Sequence, residues 1–313
     1  MLGKTAGGLY WMFRYLERAE NTARLIEAGF RIALTRASDN ESEWKSVLKT
    51  AGVSHGFDAT HSTYSYANVV DYLLRDPDNS SSVLSVTKSA RDNARLVRTA
   101  LTQEVWVAVN DSWMTMQTLL KKPVHETELP AVLGTIRQQS ALVRGALHGT
   151  MLRNDIYDFA RIGTFIERAD NTARIIDVKY FTLLPTASFV GSDLDNVQWE
   201  TILRSVSAHR AFRWLDEEET TASAIAKFLI LDRRLPRSLS FCVAQTVANL
   251  GFLADDYGER HPCHDMAENL RTRLKDRDIA SIFDEGLHEF INSIIQENNA
   301  LGAQIEQDYR FNA

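Results

Sequence analysis

The chain is short of the residues that interrupt helices. It has 6 prolines in 313 residues, about 2% where ~5% is usual, and only 15 glycines. So little helix-breaking material predicts a protein that is nearly all helix. Two cysteines, Cys242 and Cys263, are too few for a disulfide framework or a zinc cluster and suit a reducing cytoplasm. No uninterrupted apolar window approaches the ~18 residues that mark a membrane-spanning helix. The opening MLGKTAGGLYWMFRYLERAE turns charged and amphipathic within its first fourteen residues, so it reads as helix and not as a signal peptide. Positive charge is not in surplus: the net charge is −6 and the pI about 5.8, a field that favours neither nucleic acid nor an anionic membrane surface. The dinucleotide, P-loop, nucleophile-elbow and zinc-protease motifs are missing. What remains is a soluble all-α chain with 44% apolar and 24% charged residues and a mean hydropathy of −0.24.

The sequence repeats itself. YLERAENTARLIE (15–27) and FIERADNTARIID (165–177) agree at eight of thirteen positions, and the other five are conservative pairs. EWKSVLKTAGVSHGF (43–57) aligns with QWETILRSVSAHRAF (198–212), pairing Trp44 with Trp199 and Phe57 with Phe212. LLRDPDNSSSVLSV (73–86) aligns with LILDRRLPRSLSFC (229–242). Three segments in one order, offset by 150 to 156 residues, predict a duplication. The expected architecture is a pseudo-twofold helical bundle of two similar halves, 1–153 and 154–313, sharing one interior as a single compact unit.

The 3.6-residue apolar period predicts helices near 8–36, 41–54, 64–75, a broken run over 80–121, 126–151, 155–184, 193–211, 217–232, 236–257, 262–276 and 278–311. The break in the long run is expected near Leu101–Gln103, Pro185 is expected to end the 155–184 helix, and 55–65 reads as a loop. Pro236 is expected in the first turn of its helix.

On a helical wheel the first repeat has a broad apolar arc from Trp11 through Tyr15, Ala19 and Ile26. Arg14, Glu17, Asn21 and Arg24 form a column on the other side, with Arg18 at the edge of the arc and drawn towards a neighbouring helix. The second repeat carries Glu167, Asn171 and Arg174, with Arg168 at the edge and Thr164 where Arg14 would be. One reading makes these a buried ion-pair scaffold fixing the bundle's register. The other makes them a polar cleft between the halves in which Arg, Asn and Glu hold a carboxylate- or phosphate-bearing ligand. Arg237 and Ser238 follow Pro236 at a helix start, where an anion is also favoured, although ordinary capping is the preferred reading. Arg91 and Arg95 either line the same interior or face water. Asp255, Asp256 and Glu259 read as a solvated helix end, and His261, Cys263 and His264 as a turn capped by Pro262, so no metal or cofactor is expected.

LYWMFRYLERAENTARLIE (9–27), GTFIERADNTARIID (163–177), SARDNAR (89–95) and LPRSLSFC (235–242) together resemble the alpha-E family, all-helical bacterial proteins named for a Glu-Arg motif. The resemblance spans essentially the whole chain; Thr164 departs from it, where an arginine is expected. It implies a setting with a circularly permuted ATP-grasp protein and a transglutaminase-like peptidase, either fused or alongside. ATP-grasp enzymes join a carboxylate to an amine, so the implied system makes or trims an amide-linked peptide or tag. The resemblance leaves three roles open for this chain: an accessory or binding partner of the ligase, an acyl or aminoacyl transferase with Glu17 or Glu167 as general base, or a scaffold without ligand. Catalytic residues and oligomeric state stay unassigned.

Overall fold

The computed structural model describes residues 1–34, 41–182, 193–215 and 221–312. Every regular element among them is a helix. In the first part these are α1 (Gly3–Leu34), α2 (Glu41–Ala51), α3 (Ser54–Asp58), α4 (Tyr66–Leu74), α5 (Val83–Leu96), α6 (Gln103–Leu119) and α7 (Leu129–Thr150). In the second they are α8 (Asp155–Thr182), α9 (Asp193–Ser205), α10 (His209–Arg213), α11 (Ala222–Leu231), α12 (Leu239–Tyr257), α13 (Pro262–Lys275), α14 (Ile279–Glu285) and α15 (Leu287–Asp308). No helix among the described residues is long and apolar enough to cross a membrane.

The two longest helices form the spine. The Tyr10 carbonyl lies against Gly163, Arg14 meets Glu167 and Glu17 meets Arg168, so α1 and α8 advance in step as a parallel pair. A Cβ at Gly163 would stand 2.2 Å from the Tyr10 carbonyl oxygen, so only glycine lets the backbones come this close. Around this spine, α5 and α7 pack on α1 while α12 and α15 pack on α8, and α2 and α9 each touch both members. Helix α1 feeds every apolar cluster: Leu9 and Tyr10 join α8, α12 and α15, Met12 and Phe13 join α5 and α7, and Ala23 and Ile26 join α2 and α4. Trp44 and Trp199 are both buried, as are Phe57 and Phe212.

Hydroxyl caps set the helix starts. Ser65, Ser82, Thr102, Thr221 and Ser238 each accept from a backbone N–H three residues on. The long run breaks as expected, with α5 ending at Leu96 and α6 starting at Gln103.

Several expectations need correction. The first helix begins at Gly3 and not near residue 8. The 278–311 helix is two helices, because Gly286 sits at φ 102° and its N–H already bonds Phe283. The 193–211 helix is also two, parted at Ser207, which takes the left-handed φ of 57°. Residues 55–65 are not all loop, since α3 occupies their beginning. Pro236 lies outside its helix, because Ser238 is the N-cap. Pro185 lies outside the described residues.

Candidate functional site

Arginine and glutamate change places across the spine. Arg168 on α8 binds Glu17 on α1 with both Nε and Nη2 at 2.9 Å. Arg18 on α1 binds Glu167 on α8 with Nε and Nη2, the latter at 2.9 Å. Each Glu-Arg dipeptide therefore satisfies the other in bidentate pairs, the strongest geometry open to these groups. Arg14, in the same wheel column as Glu17, donates Nε to Glu167 at 2.9 Å. Behind the pairs, Arg24 binds Glu20 and Arg174 binds Asp170, each four residues apart. Arg24 also reaches the Ser205 carbonyl at 3.0 Å and the Ser207 hydroxyl at 2.7 Å.

Further arginines close the Glu17 end. Arg237 donates to Glu17 at 3.0 Å, to the Asn21 side-chain Oδ1 at 3.2 Å, and to Glu20. Arg144, from α7, reaches both Glu17 and Glu20. Burial alone would raise the Glu17 carboxyl; Arg168, Arg237 and Arg144 override it and hold the carboxyl well below the ordinary range. Glu167 is likewise lowered, by Arg18 and Arg14 against the same burial. Burial lowers Arg237 to about 10, against the pull of Glu17. Seven guanidinium groups thus face four carboxylates: Arg14, Arg18, Arg24, Arg144, Arg168, Arg174 and Arg237 against Glu17, Glu20, Glu167 and Asp170. Within this cluster guanidiniums outnumber carboxylates, and a further carboxylate, Glu306, lies close enough to Arg14 to feel its charge.

The Glu167 end is open. A cavity of about 230 Å³ lies between α1, α8 and the end of α2, with Arg14, Arg18, Asn21, Asn171 and Arg174 on its wall. Glu17, Glu167, Arg24, Arg168 and Arg237 do not line it. Ser238 belongs to neither end: its hydroxyl caps Phe241 and donates to the Asp232 carbonyl, the capping reading. Arg91 bonds Asn110 at 3.0 Å and Arg95 is exposed, so SARDNAR does not enter the cluster.

Among the described residues no group of His, Cys, Asp and Glu is arranged to hold a metal. Asp255, Asp256 and Glu259 are exposed. His264 is buried and accepts the His261 N–H at 2.9 Å, with its other ring nitrogen 3.0 Å from the Leu250 carbonyl. Burial pushes the Cys242 thiol up to about 12 and raises Cys263 as well, the opposite of an activated nucleophile.

Sequence reasoning missed Glu20, Asp170 and Arg144. The first two sit inside the repeated segments as an acidic pair four residues before an arginine, a signal that was available. Arg144, within LVRGALHGT, has no matching arginine in the second half and carries no such signal.

The alpha-E family, a predicted alpha-helical domain with a conserved ER motif, matches residues 1–309. Uncharacterized proteins of Mycobacterium bovis and Mycobacterium tuberculosis are each 24% identical over 285 residues, which cover 85% of this chain and 31% of theirs. The chain therefore spans under a third of the length of these relatives. No solved structure matches it.

Proposed function

Because the chain belongs to the alpha-E family, we propose that it is an accessory binding protein for an ATP-grasp amide ligase, working with a transglutaminase-like peptidase on an amide-linked peptide or tag. We read its halves, 1–153 and 154–313, as two copies of one unit related by a pseudo-twofold axis and sharing one interior, active in a reducing cytoplasm. One observation carries the binding role. Both motif glutamates are consumed by arginines from the opposite spine helix, so the motif joins the halves and presents cationic groups. The greater length of the mycobacterial relatives supports the partnership, since it leaves room there for a fused partner.

The competing reading makes the chain a stand-alone acyl or aminoacyl transferase with Glu17 or Glu167 as general base. A carboxyl held low by guanidinium neighbours is a weak base near neutral pH, which favours the accessory role. The test is affinity purification of the chain from its native host with mass spectrometry of what is bound, followed by reconstitution of the captured ligase. The expected result is an ATP-grasp protein whose amide-forming rate rises when this chain is added. Absence of such a protein, or a rate unmoved by the chain, overturns the proposal.

A further inference from the structure

The cavity walled by Arg14, Arg18, Asn21, Asp170 and Arg174 presents hydrogen-bond donors that the fold does not use. Arg14 spends Nε on Glu167 and Nη1 on the Tyr10 hydroxyl, Arg18 spends Nε and Nη2 on Glu167, and Arg174 spends Nε and Nη2 on Asp170. Each keeps one terminal nitrogen without a hydrogen-bond partner among the described residues. Asn21 adds an independent sign. It is only 2% exposed and its carbonyl is taken by Arg237, yet its amide nitrogen has no partner among the described residues. The buried hydroxyl of Thr50, on the same wall, is orphaned in the same way. Buried polar atoms are seldom left bare, and two of them on one wall point to a missing guest.

The other end of the cluster shows what fills such a space when no guest is needed. Arg237 there occupies the position that aligns with Ser81, and its guanidinium binds Glu17, Glu20 and Asn21. Ser81 is too short to do the same and lines the cavity instead.

We propose that this cavity binds a small oxyanion, a carboxylate or phosphate on a ligand of amino-acid size, through Arg14, Arg18, Arg174 and the Asn21 amide. Its volume, about 230 Å³, lies under the ~300–1,000 Å³ of drug-sized sites, which sets the size of the guest. Arg14, Arg18 and Arg174 bring their unspent donors to one wall, the arrangement by which guanidiniums recognise an oxyanion. This rests on the binding role proposed above and names the chemistry it serves.

The experiment is calorimetric titration of the full chain with inorganic phosphate, free glutamate, free glycine and a dipeptide. The phosphate arm and the carboxylate arms tell the two sources of the oxyanion apart, and the dipeptide distinguishes a peptide end from a free amino acid. Two variants are run beside the wild type. Ser81→Arg installs the plug found at the other end, and Arg174→Gln removes a cation whose salt bridge among the described residues is to Asp170 on its own helix, so both are expected to fold. The expected result is saturable binding of at least one probe, weakened about tenfold or more in both variants with melting temperature held. No binding by any probe, or equal binding in folded Ser81→Arg, overturns the proposal. Capture of the ATP-grasp protein by Ser81→Arg separates this failure from failure of the accessory role, because capture does not depend on the cavity being open.

Discussion

Two ends of one charged cluster, written in nearly the same residues, come out differently. At Glu17 the carboxylate is enclosed by Arg168, Arg237 and Arg144; at Glu167 it is buried beneath Arg14 and Arg18, which line open space. The motif residues do not cause the difference, since both segments read Glu-Arg-Ala-acid-Asn-Thr-Ala-Arg. Their neighbours do. Ser140 on α7 donates to the Leu16 carbonyl and Asn298 on α15 to the Ile166 carbonyl, matching positions of the repeat. Four residues beyond Ser140 stands Arg144, and four beyond Asn298 stands Gly302, whose missing side chain leaves room for Tyr10 and Arg14. One end takes its extra arginine from the outer helix and has Thr164 on the spine; the other takes it from the spine and has glycine on the outer helix. A motif fixes the pairing, and the residues around it decide whether the result is sealed or receptive.

The comparison breaks most visibly at the two motif arginines. Arg168→Ala leaves Glu17 deeply buried with one bidentate partner lost, and chemical denaturation should show a loss of about 3–5 kcal/mol. Arg18→Ala removes a side chain that is 27% exposed, against 9% for Arg168, and leaves Arg14 on Glu167; its loss should be about 1–2 kcal/mol. Equal losses would mean that the ends do not differ in burial energetics.

Acid sharpens it next. Both glutamates are lowered in the fold, so their contribution is present above the unfolded carboxyl value of 4.5 and disappears as pH falls below it. Glu17→Gln should flatten the acid limb of a stability–pH curve by about 2 kcal/mol, and Glu167→Gln by less, because three arginines hold the first carboxylate and two the second.

The smallest effect lies at the turns that follow α2 and α9. Gly52 has φ 72° and its matched residue Ser207 has φ 57°. Gly52→Ala should lower stability by about 1 kcal/mol. Ser207→Gly relieves the left-handed strain but removes the hydroxyl that accepts from Arg24, so it should stay within about 0.5 kcal/mol of wild type. Thermal melts of both, side by side, decide the point.

Much of the fold was legible because its signals are local. Proline scarcity, the apolar period and serine caps give the helices, and the repeated segments mark the two helices of the spine. The two errors of continuity come from single residues whose backbone is not written in a periodicity: Gly286 and Ser207 break helices that the pattern runs straight through, while Pro236 is left outside its helix by the cap two residues later. At the site, the edge position of Arg18 indicated a neighbouring helix, but not that the neighbour was the other copy's glutamate. That requires knowing that α1 and α8 lie side by side, and no spacing within either helix contains this. Arg144 was invisible for the same reason, since its role depends on where α7 crosses the spine.

The contact at Gly163 has a consequence for all of this. The two exchanged pairs hang on rigid rods whose separation is set where the Tyr10 carbonyl rests on a residue with no side chain. A methyl group there would wedge the rods apart and slacken both exchanges at once, although it touches neither glutamate nor arginine. Position 163 is a gauge block: one hydrogen atom sets the clearance to which the rest of the charged machinery is cut.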